Sequence, residues 1–306
     1  MSKFMRWLLM VLPFVLWGTS MAVMNILLPT SGSFVLAWFR LVPAGLALIL
    51  VLPILGRSWR IANTDRLWLL IFSLIDASLF QGMLAKGLQD TGAGLGSVLI
   101  DSQPLIVALL ARTLFSESIN PIGWLGLTLG LVGILLVGIP GPFLFQWWLQ
   151  GPSVVPEGGI SAGVIWMLGA ALSMAIGTVI SRYASRSSDP IAVTGWHMII
   201  GGLPFVVLHR LNSSGGGFWP DWSLGQWGLM GYASFLGSAL AYGLFFWFTK
   251  QEELTSFTSL TFLTPVFAII CGITFLGEQL TSLQWVGVGL ALLSVVLVNQ
   301  RRILWE

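Results

Sequence analysis

The chain alternates long apolar stretches with short polar or Gly/Pro breaks along most of its length. Apolar runs of about 18 residues or more indicate helices that cross a bilayer, where every backbone polar group must be paired within the segment. Ten stretches fit, at residues 7–28, 35–55, 67–86, 93–115, 121–139, 162–182, 190–209, 226–248, 255–276 and 281–299. The sequence therefore predicts an all-α integral membrane protein with ten transmembrane helices.

Composition strengthens this prediction. Only 8% of the 306 residues are charged and 56% are hydrophobic, whereas soluble domains carry about 25% charge. These values exclude soluble enzymes, nucleic-acid binders and disordered proteins. Cys271 is the single cysteine, which excludes a disulfide within the chain and a Cys-based metal site. The first stretch also has small residues at cleavage-like spacing, the pattern of a signal peptide, but its apolar residues continue to Leu28, which favours a span.

The basic residues predict the orientation. With the N-terminus inside, eleven Lys and Arg lie in cytoplasmic segments, two (Lys86 and Arg210) lie outside, and Arg40 lies within a span. This asymmetry follows the positive-inside rule. We therefore expect both termini to be cytoplasmic and the membrane to be the cell's inner membrane, with a plastid or other eukaryotic membrane as the alternative.

An internal repeat predicts the architecture. Eight residues recur at a constant separation of 161, including a Pro, a Glu, a Trp and two Gly. The pairs are Gly82/Gly243, Leu99/Leu260, Pro104/Pro265, Glu117/Glu278, Trp124/Trp285, Gly126/Gly287, Leu129/Leu290 and Leu136/Leu297. Each copy has five spans, and because five is odd, the second copy enters the membrane from the opposite side. We predict two inverted five-helix repeats, at 7–139 and 162–299, joined by an outer linker with a short interfacial segment at 140–161.

Several short motifs resemble one transporter family. These are Trp17-Gly18, Phe39-Arg40, Ala171-Leu172-Ser173, the series Pro104, Glu117 and Gly126, and its repeat Pro265, Glu278 and Gly287. The chain resembles a ten-helix EamA-type member of the drug/metabolite transporter superfamily over residues 7–139 and 162–299. The resemblance implies secondary transport through a central cavity lined by the first, third, fourth, sixth, eighth and ninth helices. Asp76 and Asp101 depart from the usual pattern of that family.

The resemblance also implies that the fifth and tenth helices form the packing side. Gly126 and Gly130 stand at GxxxG spacing there, and Gly287 stands with Gly289, which favours close helix approach. We interpret Glu117 and Glu278 as helix-end residues that cap or anchor the next helix, without a part in transport.

Polar residues within the spans mark candidate cavity walls, because a polar side chain facing lipid is costly. Ser238 and Tyr242 continue a stripe from Ser234, and Ala77 and Gln81 occupy the equivalent positions after Ser73 in the first repeat. Each Ser could instead bond its own helix. The predicted cavity residues are Trp17, Thr19, Arg40, Gln81, Ser97, Asp101, Thr178, Trp196, His197, Ser238, Tyr242, Thr258 and Thr261.

Charged groups within the spans are the candidate coupling residues. We hypothesise an ion pair between Arg40 and Asp101 at an outer gate, and we take Asp76 and Asp101 as candidate proton carriers. Alternatively, Arg40 snorkels to the headgroups, His197 is a hydrogen-bonded packing residue, and Trp17 and Trp196 belong to the core.

Pro104 and Pro265 would free carbonyl groups one turn earlier, at Ile100 and Thr261, or would simply bend their helices. We regard them as helix-bend residues. The favoured function is a secondary transporter that exports a small organic metabolite, an amino acid or similar, by alternating access. The coupling partner would be a proton or a counter-substrate. The alternatives are a channel or a membrane scaffold. No enzyme motif, cofactor, metal site or nucleic-acid partner is predicted.

Overall fold

The structure, a computed structural model, describes residues 2–138, 162–212, 218–276 and 281–301. All regular structure in these ranges is helical. Seven of the helices are single: α1 (Lys3–Ser31), α2 (Ser33–Ile54), α4 (Gln103–Phe115), α5 (Pro121–Gly138), α6 (Ala162–Ala184), α7 (Pro190–Asn212) and α10 (Ser282–Gln300). Three helices are composite: α3 joins Arg66–Phe72, Ser73–Leu79 and Phe80–Ile100, α8 joins Leu224–Gly231, Tyr232–Leu240 and Ala241–Gln251, and α9 joins Leu254–Thr258, Ser259–Leu263 and Thr264–Leu276.

Within the described residues, eight helices are long and apolar enough to cross a membrane. Two shorter apolar helices, α4 and α5, complete the series. The all-helical membrane fold is confirmed, and the count of ten crossings stays a prediction. The predicted linker at 140–161 and Glu278 lie outside the described residues.

The break between the third and fourth helices is not where the sequence placed it. We expected it between residues 86 and 93, but Phe80–Ile100 is one continuous helix and the chain turns at Asp101 and Ser102. Pro104 explains the position of this turn, because in a continuous helix its ring would clash with the Ile100 carbonyl group. Pro104 is therefore a helix-starting residue at the beginning of α4. The helix-bend assignment of Pro104 is therefore corrected. Pro265 lies within α9, directly after the 3-10 turn Ser259–Leu263, and its helix-bend role stays a prediction.

Contacts between helix ends define the direction of every helix. At one face, Arg6 of α1 pairs with Glu252 after α8, Arg57 after α2 pairs with Asp189 before α7 at 2.6 Å, and Arg182 of α6 approaches Glu117 after α4. Three more contacts lie at the same face. Asp65 before α3 accepts a hydrogen bond from Ser187 N, Arg301 after α10 pairs with Glu253 before α9, and Asn120 before α5 donates to Arg301 O.

These contacts give the direction of each helix. Odd-numbered helices start at this face and even-numbered helices end there. Equivalent helices of the two repeats, such as α1 and α6, consequently run in opposite directions.

Glycines bring two helix pairs into backbone contact. Helix α2 packs along α7 and α5 packs along α10. A Cβ atom on Gly45 would lie 2.5 Å from Gly195 O, and one on Gly133 would lie 2.7 Å from Gly287 O. Gly126 and Gly130 also face α10 and its neighbours, which confirms their predicted packing. Gly289 does not share this packing, because nothing lies within 4 Å of its Cβ position. It stands two residues after Gly287, about 200° round the helix, and so faces away from α5.

Both α3 and α8 contain a π-helical stretch at the same place in the repeat. The stretches are Ser73–Leu79 and Tyr232–Leu240, and Ser73 and Ser234 are 161 residues apart. A π-helical turn shifts the side chains that follow onto a different face, and such turns are frequent at functional sites. The residues that follow them, Gln81 and Tyr242, point into the centre of the bundle.

The α5–α10 interface generates a matched pair of variants. We expect Gly287→Ala to lower the free energy of unfolding by about 1–3 kcal/mol, because its Cβ atom would meet the Gly133 carbonyl oxygen, which cannot rotate away. Gly289→Ala should leave stability unchanged or raise it by up to about 1 kcal/mol through helix propensity. Unfolding in detergent measures both. Equal stability of the two variants would contradict the close crossing.

The arrangement of helix ends also predicts which loops share a side of the membrane. In a Cys271→Ser background, we expect an impermeant thiol reagent applied to intact cells to label Asp221→Cys but not Arg60→Cys. Residue 60 lies at the face with the ion pairs, and residue 221 lies beside Trp222, which donates to Thr30 at the other end of α1. Labelling of both positions from outside would overturn the predicted orientation.

Candidate functional site

A chain of hydrogen bonds crosses the centre of the bundle. Arg40 of α2 donates from Nη1 to Gln81 Oε1 of α3 at 3.2 Å, and Gln81 Nε2 donates to the Tyr242 hydroxyl of α8 at 3.0 Å. All three side chains are buried. Gln81 and Tyr242 are 161 residues apart, so the repeats meet here through equivalent positions. The predicted Arg40 to Asp101 ion pair is wrong for this conformation, because Arg40 is bound to the Gln81 amide.

Aromatic side chains form one wall beside this chain. The Trp17 indole of α1 lies 4.9 Å from the Tyr242 ring and 5.0 Å from the Phe245 ring, measured between centroids. Trp17 is buried, and its Nε1 has no hydrogen-bond partner among the described residues. Trp17 is therefore both a core residue, as the alternative held, and a neighbour of the central polar groups.

A second polar pair, Asp76 and His197, lies between α3 and α7. Asp76 Oδ2 is 3.0 Å from His197 Nε2, and each side chain is 1% exposed. The distance is that of an ion pair. Beyond this contact, none of the four polar atoms of the pair has a hydrogen-bond partner among the described residues. The sequence selected both residues separately and missed their contact, since they are far apart in the chain.

The surroundings of this pair are tight and apolar. The His197 ring stacks on Phe72 at 4.0 Å and meets the edge of Phe246. Gly177 of α6 packs on the Asp76 side chain so closely that a Cβ atom would lie 2.4 Å from Asp76 Oδ1. The pair is therefore enclosed by packed side chains, with 1% of each side chain exposed.

Asp101 occupies the turn between α3 and α4. It is buried, and Oδ2 has no hydrogen-bond partner in the described part of the chain. Nearby in the chain, Gln103 Nε2 donates to Thr178 Oγ1 of α6 at 3.2 Å, with Oε1 unpartnered. The sequence reading missed Gln103, although a Gln directly before a mid-span proline was an available signal. Thr178 thus lies where α4 and α6 meet.

The remaining predicted cavity residues fall into several environments. Thr19 shares a hydrogen bond with the Tyr232 hydroxyl between α1 and α8. Ser238 and Thr258 bond carbonyls of their own helices, as the alternative for such residues held. Thr261 is buried with an unpartnered hydroxyl. The Ser97 side chain lies outside the described part of the chain.

Trp196 does not join the central group. Its Nε1 donates to Trp59 O at 2.9 Å in the loop after α2, and the two indoles lie beside Ile49 and Pro53 at the rim of the bundle. An amphipathic indole near a helix end anchors to the interface rather than to a cavity. The cavity assignment of Trp196 is therefore corrected.

Glu117 has a role that sequence reasoning placed on the wrong helix. We expected it to cap the next helix, α5. Instead it accepts hydrogen bonds from Leu254 N and Thr255 N at the start of α9, at 2.7 and 3.1 Å, where a carboxylate also meets the favourable helix dipole. Arg182, 3.9 Å away, donates onward to Thr249 O and Glu252 O. Glu117 thus fastens the first repeat to the second.

The two ends of the bundle are held by different chemistry. Ion pairs and charged hydrogen bonds link the helices at the face of Glu117, including Lys250 donating to carbonyls of Ser185 and Ser188. At the opposite end, the Phe39 ring lies 5.3 to 6.1 Å from four aromatic rings, those of Phe218, Trp219, Trp222 and Trp227. The polar centre is closed between these two layers.

The sequence is similar to several named membrane proteins. An uncharacterized transporter of Synechocystis is 47% identical over 304 residues, 96% of this chain and 89% of that protein. A WAT1-related protein of Arabidopsis thaliana, described as chloroplastic, is 45% identical over 97% of this chain and 70% of its own. The uncharacterized inner membrane transporter YedA of Escherichia coli is 23% identical over 94% of this chain and 88% of its own.

The fold is also that of a known crystal structure. Its chain superposes with a TM-score of 0.75 over 98% of this chain and 99% of the other, at 15% sequence identity, which supports the fold alone. The model of the EamA-like transporter family matches residues 5–139 and again residues 161–300. With nearly the whole chain covered by two copies of that model, this protein belongs to the EamA-like transporter family.

Proposed function

We propose that this protein is a secondary transporter that exports a small organic metabolite, an amino acid or similar, by alternating access. Its transport path would run between the repeats 7–139 and 162–299, past the side chains of α1, α3, α4, α6, α8 and α9. The segment 140–161 would serve as the outer linker, and both termini would be cytoplasmic. Membership of a transporter family supports the general function, and the following observations support the particular mechanism.

The hydrogen bond between Gln81 and Tyr242 carries the proposal. Two residues at equivalent positions of inverted repeats meet each other within the bundle. Inverted repeats place substrate sites at their interface near mid-membrane, and rocking one repeat against the other opens the site to either side. A polar centre made jointly by both copies is the arrangement that this mechanism needs.

The closures at the two ends support alternating access in a second way. Opening the face of Glu117 requires breaking charged contacts such as Arg182 with Glu252 O, whereas opening the other end requires separating aromatic rings around Phe39. Because the two sets share no residue, one can open while the other stays closed. A channel needs a continuous path, and the buried Arg40, Gln81 and Tyr242 side chains fill the centre in this conformation.

Flux measurements test the transport proposal. We expect purified protein in proteoliposomes to give saturable uptake of one or more solutes in a screen of amino acids and small metabolites, and we expect a pH gradient to change the rate. Empty liposomes supply the control. Non-saturating flux that ignores the gradient would favour a channel, and lack of flux for every solute would favour a scaffold.

Asp76 and His197 are the proposed coupling groups. An acid and an imidazole that are 1% exposed and 3.0 Å apart can share a proton. Phe246 links the pair to the central hydrogen-bond chain, because its ring contacts both the His197 ring and the Tyr242 ring. A change in the charge of the pair would therefore act close to Tyr242. Asp101 is the second candidate, without an ionic partner among the described residues.

Neutralising Asp76 tests the coupling. We expect Asp76→Asn to abolish the effect of the pH gradient on flux while leaving exchange of solute across equal pH, because the amide cannot carry the proton. Asp101→Asn tests the second candidate coupling group in the same way. Asp221 is exposed, so Asp221→Asn is the matched control and should behave as the unaltered protein. Full gradient dependence in Asp76→Asn and in Asp101→Asn would remove both acids from coupling.

A further inference from the structure

Arg40 is a buried cation without an ionic partner. Its side chain is 4% exposed, and within the described residues no carboxylate oxygen lies within 4.0 Å of it. Its hydrogen bond goes to a neutral amide, Gln81 Oε1, and its Nε has no partner there. A guanidinium has five N–H donors and stays charged throughout the physiological range.

Such a group is energetically costly in the interior of a membrane protein. Moving a charge out of water is costly, and a well-placed counter-charge or a full set of hydrogen bonds is needed to recover that cost. Of the two acids buried within the spans, Asp76 is engaged with His197 at 3.0 Å, and Asp101 makes no ion pair with Arg40. The counter-charge of Arg40 is therefore absent from the side chains that surround it, which is the condition of a site that receives an anion from outside.

The neighbouring groups indicate which anion fits. Trp17 Nε1 is a second buried N–H donor without a hydrogen-bond partner among the described residues. Arg40 Nε and Trp17 Nε1 are both unused donors, so a ligand that accepts hydrogen bonds fits them. A carboxylate accepts through two oxygens, whose spacing matches the N–H groups of a guanidinium. The Trp17, Tyr242 and Phe245 rings, with centroids about 5 Å apart, form an apolar wall beside these donors.

We propose that Arg40 binds the carboxylate of the transported solute and that the Trp17 wall takes an apolar or aromatic group on the same molecule. The proposal rests on the transporter function and narrows its substrate class to organic carboxylates. In the absence of ligand, Gln81 holds the guanidinium in place through its amide oxygen. When the carboxylate arrives, its charge satisfies Arg40 and its oxygens replace the missing hydrogen-bond partners.

Equilibrium binding tests the proposal without requiring flux. The probes are 3-phenylpropanoate and 2-phenylethylamine, which share the ring and differ in the charged group, and inorganic phosphate as an anion without an apolar part. With purified protein in nanodiscs, we expect the carboxylate to bind at least about tenfold more tightly than the amine or phosphate, as charged hydrogen bonds imply. Equal binding of carboxylate and amine would overturn the proposal.

Arg40 variants separate binding from folding. Arg40→Gln should weaken 3-phenylpropanoate binding by about tenfold to a hundredfold, while the ligand-free Tm stays the same or rises, because a costly buried charge is removed. Arg40→Lys keeps the charge without the fork and should bind with intermediate affinity. The exposed Arg60→Gln is the matched control, expected to bind as the unaltered protein.

The two proposals fail in different ways. A fall in the ligand-free Tm of Arg40→Gln, with carboxylate affinity retained in the folded fraction, would assign Arg40 a structural role and overturn the binding site. Carboxylate-selective binding without flux of any solute would leave the site standing and remove the transport mechanism. Saturable flux of amines with no preference for carboxylates would support the transport mechanism and overturn the carboxylate site.

Discussion

The hydrogen bond from Gln81 to Tyr242 joins residues at the same position of two inverted repeats, so it lies where the two halves of the molecule meet. In lipid, a polar side chain has no water to bind, and its partner must come from the protein itself. Without the other repeat, the Gln81 Nε2 donor would lose its Tyr242 partner. The need to pair them draws α3 and α8 together, and Arg40 is bound through the same Gln81 amide.

Glycine contacts make that meeting possible. Between helices in a bilayer, close packing replaces the hydrophobic effect as the main attraction. Gly45 with Gly195 and Gly133 with Gly287 let α2 approach α7 and α5 approach α10 at backbone distance. These two pairs each join equivalent helices of the repeats, so the same pseudo-symmetry governs the apolar packing and the polar centre. Charged contacts at one end and aromatic contacts at the other then close the bundle.

The sequence predicted the helices and the repeat well, because hydrophobic runs, basic residues and a constant spacing of 161 are properties of the chain itself. It identified Arg40, Gln81, Tyr242, Asp76 and His197 one at a time, from the cost of polar groups in lipid. It could not pair them. Asp76 with His197, like Arg40 with Gln81, depends on helix rotation, and the π-helical turns before Gln81 and Tyr242 change that rotation without a clear signal in the sequence.

The errors share that cause. Arg40 and Asp101 were matched by depth along their helices, and depth says nothing about which face a side chain occupies. Trp196 was placed in the cavity because it falls within a predicted span, yet its indole donates to Trp59 O at the rim of the bundle. Duplication thus preserves the backbone path while side chains diverge: Arg40 and His197, in the second helix of each repeat, bond an amide and meet an acid, respectively. In the proposed mechanism, that divergence gives a symmetric scaffold two chemically different sites, one for a solute anion and one for a proton.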